Sequence, residues 1–314
     1  MLKNFSILAV IFFIMCSFTN SNYANAENKF SETDSADKIV YNTTKNLEKY
    51  FSALPQKNFF EVNQRPLLIE GANNIEIEKL VRALKNPVAY RFSNYLYIAG
   101  TLKDYPVVIV RTEQGLANSA ASTVIALEKF NPCAVINQGI AGGHFQNLHV
   151  NDIVIGEKSI NIGTYKTEFL PAGAGIDITA QELRGTFSFD AAENIFKLFP
   201  EYCADLKILE IAKSVATSHK EFKTVTGTIS SADSWNNEID HINFLHEKYG
   251  SLCEDMETNA AASICKSAGV PFIGIRAISN NITNGENFSV ETAATCQNFV
   301  LLVAEKFINT LPKK

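Results

Sequence analysis

The stretch Cys253-Glu254-Asp255-Met256-Glu257-Thr258-Asn259-Ala260-Ala261-Ala262, continuing to Val270-Pro271-Phe272-Ile273-Gly274-Ile275-Arg276-Ala277-Ile278-Ser279, decides how this chain is read. It sets acidic side chains before a helix predicted over Thr258 to Ala268 and a strand predicted over Pro271 to Ile275. The same alternation extends upstream and downstream. Leu67-Leu68-Ile69 reads as a strand, followed by Gly71-Ala72 and a helix through Glu76, Leu80, Val81 and Leu84. Val107 to Val110 is a second strand, leading through Gly115 into a helix with Ala120, Val124 and Leu127. Ala134-Val135-Ile136 is a third, ending in Gln138-Gly139-Ile140-Ala141-Gly142-Gly143. A strand over Val225 to Ile229, a helix near Asp240 to Lys248 and a last helix ending near Leu311 complete the pattern. Strands alternating with helices predict one α/β domain, its sheet covered on both faces.

In such sheets ligands bind beyond the carboxyl ends of the strands. Gly71-Ala72, Thr112 to Gly115, Gly139 to Gly143, Ser230 to Trp235 and Ser279-Asn280 all occupy such positions. Glycine lets backbone approach a ligand closely, but strand-to-helix turns use it for their own geometry as well. G-x-x-x-x-G-K-[ST], G-x-G-x-x-G and G-x-S-x-G are absent, which removes the P-loop, dinucleotide and serine-hydrolase readings.

Composition narrows the class further. The chain has 314 residues, 46% hydrophobic and 19% charged, enough to bury a full core. Its 28 basic and 33 acidic side chains give a net charge of -5. No Lys/Arg block stands out, so neither a nucleic-acid surface nor an anionic membrane surface is expected.

The first 26 residues read as a signal peptide. Lys3 supplies a positive start, Phe5 to Phe18 an apolar run, and Ala24-Asn25-Ala26 a cleavage site. The chain is therefore expected to be exported, periplasmic or secreted. Lipid anchoring through Cys16 is the rival, although Met15 stands where a small residue would be expected. No later stretch reaches the ~18 apolar residues of a membrane span. Residues 27–64 read as an extension with one amphipathic helix, in which Val40, Leu47, Tyr50, Phe51 and Leu54 pack inward and Pro55 ends the run. Beyond Cys16, five cysteines remain with no C-x-x-C pair, so buried free thiols are expected. The scattered histidines, His144 and His149 included, show no metal-site spacing.

The decisive stretch resembles the purine nucleoside phosphorylase/uridine phosphorylase superfamily, most closely its methylthioadenosine/S-adenosylhomocysteine nucleosidase branch. Further family positions match in order: Ile69-Glu70-Gly71-Ala72 with Glu76, Ile136 to Gly143, Asp152-Ile153-Val154, and Ser231-Ala232-Asp233-Ser234-Trp235-Asn236. The resemblance covers roughly residues 66 to 311. It implies a three-layer αβα domain, residues 65–314, with a central mixed sheet. It also implies hydrolysis of a purine N-glycosidic bond, a homodimer, and no metal or organic cofactor.

Roles follow residue by residue from the resemblance. Glu76 activates water, and Glu257 with Met256 holds the ribose. Arg276 orients the carboxylates, and Trp235 stacks on the base. Asn236 offers its backbone to the base edge. Ala72, Thr112, Gly142 and Ser279 line the pocket. Each has a plainer alternative: a solvated helix face for Glu76, an ion pair for Arg276, core packing for Met256 and Trp235. Asn280 departs from the nucleosidase pattern, which has an Asp there to protonate N7 of adenine. An amide cannot be a general acid, but it suits the acceptors of a 6-oxopurine. Two alternatives stay open: a phosphate-dependent phosphorylase using Arg111, and a nucleoside-binding or storage protein without turnover.

Overall fold

The computed structural model describes residues 47–57, 64–190 and 193–312. The predicted signal peptide, Cys16 and Val40 lie outside them. In chain order the elements are β1 (Leu67–Gly71), α1 (Asn74–Ala83), β2 (Lys85–Phe92), β3 (Tyr95–Leu102), β4 (Tyr105–Arg111), α2 (Leu116–Phe130) and β5 (Ala134–Gly143). Next come β6 (Ile153–Asn161), β7 (Tyr165–Lys166), β8 (Glu182–Leu183), β9 (Thr186–Asp190), β10 (Ile195–Phe199), β11 (Tyr202–Cys203) and α3 (Leu206–Ser218). The last are β12 (Thr224–Ser231), α4 (Ile239–Tyr249), β13 (Ser251–Asp255), α5 (Thr258–Ala268), β14 (Phe272–Asn280) and α6 (Thr292–Ile308).

The expected central mixed sheet is present. β4, β1, β5 and β14 run parallel, β3 and β2 extend the edge antiparallel, and β6, β12 and β13 form a second parallel block. The two blocks meet antiparallel twice, where β14 pairs with β6 and β13 pairs with β5. The strands β6, β12, β13, β5 and β14 therefore close into a ring. α2 packs with α5, while α1 and α3 pack on α6. β1 is buried along its whole length, as a central strand covered on both sides must be. Leu68, Val108, Val110, Val135, Phe130 and Ala261 build the core between the sheet and the α2/α5 pair.

Several elements differ from the sequence reading. β5 does not stop near Ile136 but runs to Gly143, because its glycine-rich half pairs with β14 and then β13. The β2–β3 hairpin, the short strands β7 to β11 and helix α3 were not anticipated. In the β9–β10 hairpin, Phe187, Phe189 and Phe196 stay exposed.

The anticipated extension helix is seen over residues 47–52, where Leu47 and Phe51 are buried. The Arg82 guanidinium lies 4.3 Å from the centre of the Tyr50 ring, a cation–π contact tying this turn to α1. Cys253, Cys265 and Cys296 are buried free thiols, whereas Cys133 is half-buried and Cys203 exposed. Among the described residues, no helix is long and apolar enough to cross a membrane.

Candidate active site

The carboxyl ends of β1, β4, β5, β12, β13 and β14 carry the residues singled out from the sequence. Glu76 sits in the first turn of α1, where Asn73 and Glu76 form a capping box. Asn73 Oδ1 accepts the Ile75 N–H, and Glu76 Oε2 accepts those of Ala72 (2.8 Å) and Asn73 (3.1 Å). Glu76 Oε1 accepts the Ile140 N–H at 2.9 Å. A carboxylate offers about four lone-pair sites. Backbone takes three of them, leaving one. The side chain is buried rather than on a solvated face. Burial raises its pKa above the usual range, against the lowering effect of the Ile140 N–H and Arg276.

Gly139 makes room for this carboxylate. A Cβ there would fall 2.5 Å from Glu76 Oε1, well inside contact distance. Gly139→Ala is therefore expected to displace Glu76 and lower kcat by about 10- to 100-fold, since small misplacements of a reacting group cost that much. Steady-state kinetics with a thermal melt checks it. Unchanged kcat would show that the Glu76 position is uncritical.

Glu257 is the N-cap residue of α5 and is also buried. Its Oε1 accepts the N–H of Gly115, whose φ of +101° suits glycine at the head of α2. The next amide, Leu116 N–H, is taken by Asp233 Oδ1 at 2.8 Å. Burial, then the charges of Asp255 and Glu76, push the Glu257 pKa up, against the pull of Arg276. Met256 is half-buried and meets Gln114, whose Nε2 lies 2.8 Å from Sδ.

Arg276 is fully buried, with Nε 2.8 Å from Asp255 Oδ2, an ion-pair distance without hydrogen-bond alignment. Its Nη groups donate to the Asn137 carbonyl, Asn137 Oδ1 and the Ile275 carbonyl. It makes no hydrogen bond to Glu76 or Glu257. The ion-pair alternative and the orienting role therefore coincide: the guanidinium works on both glutamates through its field. Burial alone would lower its pKa, but Asp255, Glu257 and Glu76 outweigh that and raise it. Asp255 also accepts Ser231 Oγ (2.6 Å), the N–H groups of Glu257 (3.1 Å) and Thr258 (3.2 Å), and the Thr258 hydroxyl.

At the base end, Ser279 Oγ lies 2.8 Å from Asn280 Oδ1 and 3.1 Å from the Ala141 carbonyl. Asn280 and Glu254 flank Gly142, both within 4 Å of where a Gly142 Cβ would stand. Glu254 Oε1 accepts the Asn236 N–H at 2.7 Å, its Oε2 accepts the Asn236 amide, and His144 Nε2 lies 3.2 Å away. Burial would raise the Glu254 pKa, but His144 and Asn236 bring it below the usual range. Trp235 is 49% exposed and 5.9 Å from the Phe288 ring, so it is not a core residue.

At three of the pocket positions the structure shows which groups the protein itself engages. The Asn236 N–H goes to Glu254. The Ala72 N–H goes to Glu76. The Thr112 hydroxyl faces the backbone carbonyls of Glu113 (3.0 Å) and Gly71 (3.4 Å). Arg111, the candidate anion site, is occupied by protein carboxylates: Nη1 bonds Glu48 and Asn74 Oδ1, and Nε bonds Glu113 at 2.7 Å. Glu254, Asp233 and Asn137 stand inside the matched motifs, but the sequence assigned them no role. The Asn73-x-x-Glu76 spacing was a readable capping signature, whereas the others act through contacts distant in sequence.

A family model, the phosphorylase superfamily, matches residues 66–309. The 5'-methylthioadenosine/S-adenosylhomocysteine nucleosidase of Geobacillus sp. (strain WCH70) is 30% identical over 226 residues, 72% of this chain and 89% of the relative. That of Geobacillus kaustophilus is 32% identical over 62% of this chain and 77% of the relative. The Neisseria meningitidis nucleosidase, solved with methylthio-immucillin-A, superposes with a TM-score of 0.62 at 24% identity, covering 77% of this chain and 99% of the other. A futalosine hydrolase mutant from Helicobacter pylori gives 0.62 at 18% identity, covering 77% and 100%. With the family model matching most of the chain and the fold in agreement with these structures, the chain belongs to the phosphorylase superfamily.

Proposed function

We propose that the protein hydrolyses the N-glycosidic bond of a purine nucleoside, releasing free base and sugar. The observation that carries this reading is the buried cluster of three carboxylates, Glu76, Asp255 and Glu257, around one guanidinium, Arg276. Acidic side chains set against a single guanidinium suit a site where cleavage builds oxocarbenium character on the ribose, since fixed groups in a water-poor site stabilise such a transition state. Glu76 keeps one lone-pair site free to take a proton from water. Glu257 and Met256 hold the sugar, Met256 offering a soft thioether to the developing cation. Trp235 stacks on the base. Asn280, its oxygen engaged by Ser279, presents its amide N–H groups to acceptors on the purine. The curated relatives named for methylthioadenosine and S-adenosylhomocysteine support this reaction class.

Water is favoured over phosphate on physical grounds. A phosphorylase needs free cationic groups or bare amides for its anion. Here Arg111 is neutralised by Glu48 and Glu113, and the first amides of α2 are taken by Glu257 and Asp233. Base release from methylthioadenosine, adenosine and inosine is therefore expected to proceed at equal rates with and without phosphate. Chromatography of free base and sugar checks it. Phosphate stimulation with ribose 1-phosphate as product would establish the phosphorylase, and tight binding without release would establish the storage reading. Export and homodimer formation are parts of the same proposal, supported by the Lys3 to Ala26 pattern and by the family resemblance. N-terminal sequencing of the mature chain and light scattering test them.

A further inference from the structure

β1 reads Leu67-Leu68-Ile69-Glu70-Gly71 and is buried throughout, so a glutamate sits in the middle of the central sheet. The reaction described above does not use it. Glu70 Oε1 lies 2.8 Å from Thr123 Oγ1 on α2, and Oε2 accepts the Asn137 amide from β5 at 2.9 Å. The Thr123 hydroxyl has one hydrogen and two acceptor atoms in reach, Glu70 Oε1 and the Ser119 carbonyl at 2.7 Å. Within a helix such a hydroxyl bonds back to the carbonyl four residues earlier. Thr123 Oγ1 and Glu70 Oε1 would then face each other with no hydrogen between them, unless Glu70 supplies it.

Asn137 passes this arrangement to the active site. Its Nδ2 is held by Glu70, which turns Oδ1 toward Arg276 Nη2. Turned the other way, the amide would set its own N–H groups against the guanidinium. Arg276 is the charge that holds Glu76, Asp255 and Glu257 together.

We propose that Glu70 is a neutral carboxylic acid in the folded protein and a positioning residue, donating to Thr123, accepting from Asn137, and thereby keeping Arg276 centred among the active-site carboxylates. Burial supports this by pushing the Glu70 pKa up to about 7, against the lowering effects of Asn137, Thr123 and Arg276. The other titratable groups facing it are Tyr97 of β3 and Cys265 of α5, and both are themselves pushed up by burial and by Glu70.

The test uses Glu70→Gln and Glu70→Leu in the full chain. Glutamine can accept from Asn137 and donate to Thr123, so its kcat is expected to stay within about 3-fold of wild type. Leucine leaves the Asn137 Nδ2 without its acceptor, and kcat is expected to fall about 10- to 100-fold with KM within about 3-fold. Wild-type kcat and KM in the leucine variant would overturn the positioning role. Two further readouts do not depend on turnover. Wild type should show an infrared carboxylic-acid stretch at neutral pH that Glu70→Gln lacks. Between about pH 4.5 and about 7 the folded acid holds a proton that the unfolded chain has released. Stability is thus lost as pH rises, and the wild-type melting temperature should fall relative to Glu70→Gln over that interval. A missing band with parallel pH profiles would show an ionised Glu70 and sink the proposal. The kinetic arm rests on the nucleosidase reading. Should wild type release no base, that reading fails, while the spectroscopic and pH arms still decide Glu70.

Discussion

Glu76→Gln is expected to lower kcat for base release by about 10³-fold, within the range for losing a general base. The amide cannot accept a proton from water, and it also fits the site badly. Ala72, Asn73 and Ile140 all direct N–H groups at this carboxylate. A glutamine must turn its own NH₂ toward one side of that set, placing donor against donor. Nucleoside affinity measured by calorimetry should change little, because the sugar and base contacts lie elsewhere; loss confined to kcat marks an interaction made in the transition state. Retained turnover would remove Glu76 from the reaction. The base must be ionised to act, and burial raises its pKa. The acid limb of kcat/KM should therefore lie above the ordinary glutamate range in wild type, with activity rising as pH rises through it.

Asn280→Asp is expected to have the second-largest effect, with opposite signs on two substrate classes. On adenine nucleosides it should raise kcat by about 10²-fold or more, the contribution of a general acid. On inosine it should lower kcat/KM, because a protonated carboxyl offers the 6-oxopurine one O–H donor where the amide offers two N–H donors. A carboxyl at this place would be almost buried and would share the surroundings of Gly142 with Glu254. Burial and a neighbouring negative charge both favour the protonated form, which an acid for N7 requires. Ser279 Oγ, 2.8 Å from Asn280 Oδ1, would still hold one oxygen and leave the other for the base. Competition between methylthioadenosine and inosine, followed by chromatography, reads both effects at once. Equal changes on the two nucleosides would show that Asn280 does not contact the base.

Much of the site was legible because the family motifs that carry it are short local stretches. Glu76 stands with Ile69-Glu70-Gly71-Ala72, Glu257 opens the α5 sequence, and Asn280 follows Ser279 beyond the last predicted strand. What stayed out of reach was which polar groups the fold would engage internally. The Asn236 N–H meets Glu254, eighteen positions away, and the Ala72 N–H meets Glu76, four positions away. Arg111 was readable as a cation, but its neutralisation by Glu48, sixty-three positions earlier, was not.

The sequence by itself determined that strands alternate with helices, that the chemistry gathers at strand ends, and which family motifs occur in order. These properties depend on periodicity and on residues close in the chain. Only the tertiary structure decided that β6, β12, β13, β5 and β14 close into a ring, since strand pairing is settled by packing between segments far apart. It alone decided how one buried guanidinium comes to lie among three acidic side chains drawn from two elements and a helix turn. The protonation of those groups depends on burial and distance, and neither exists until the chain has folded.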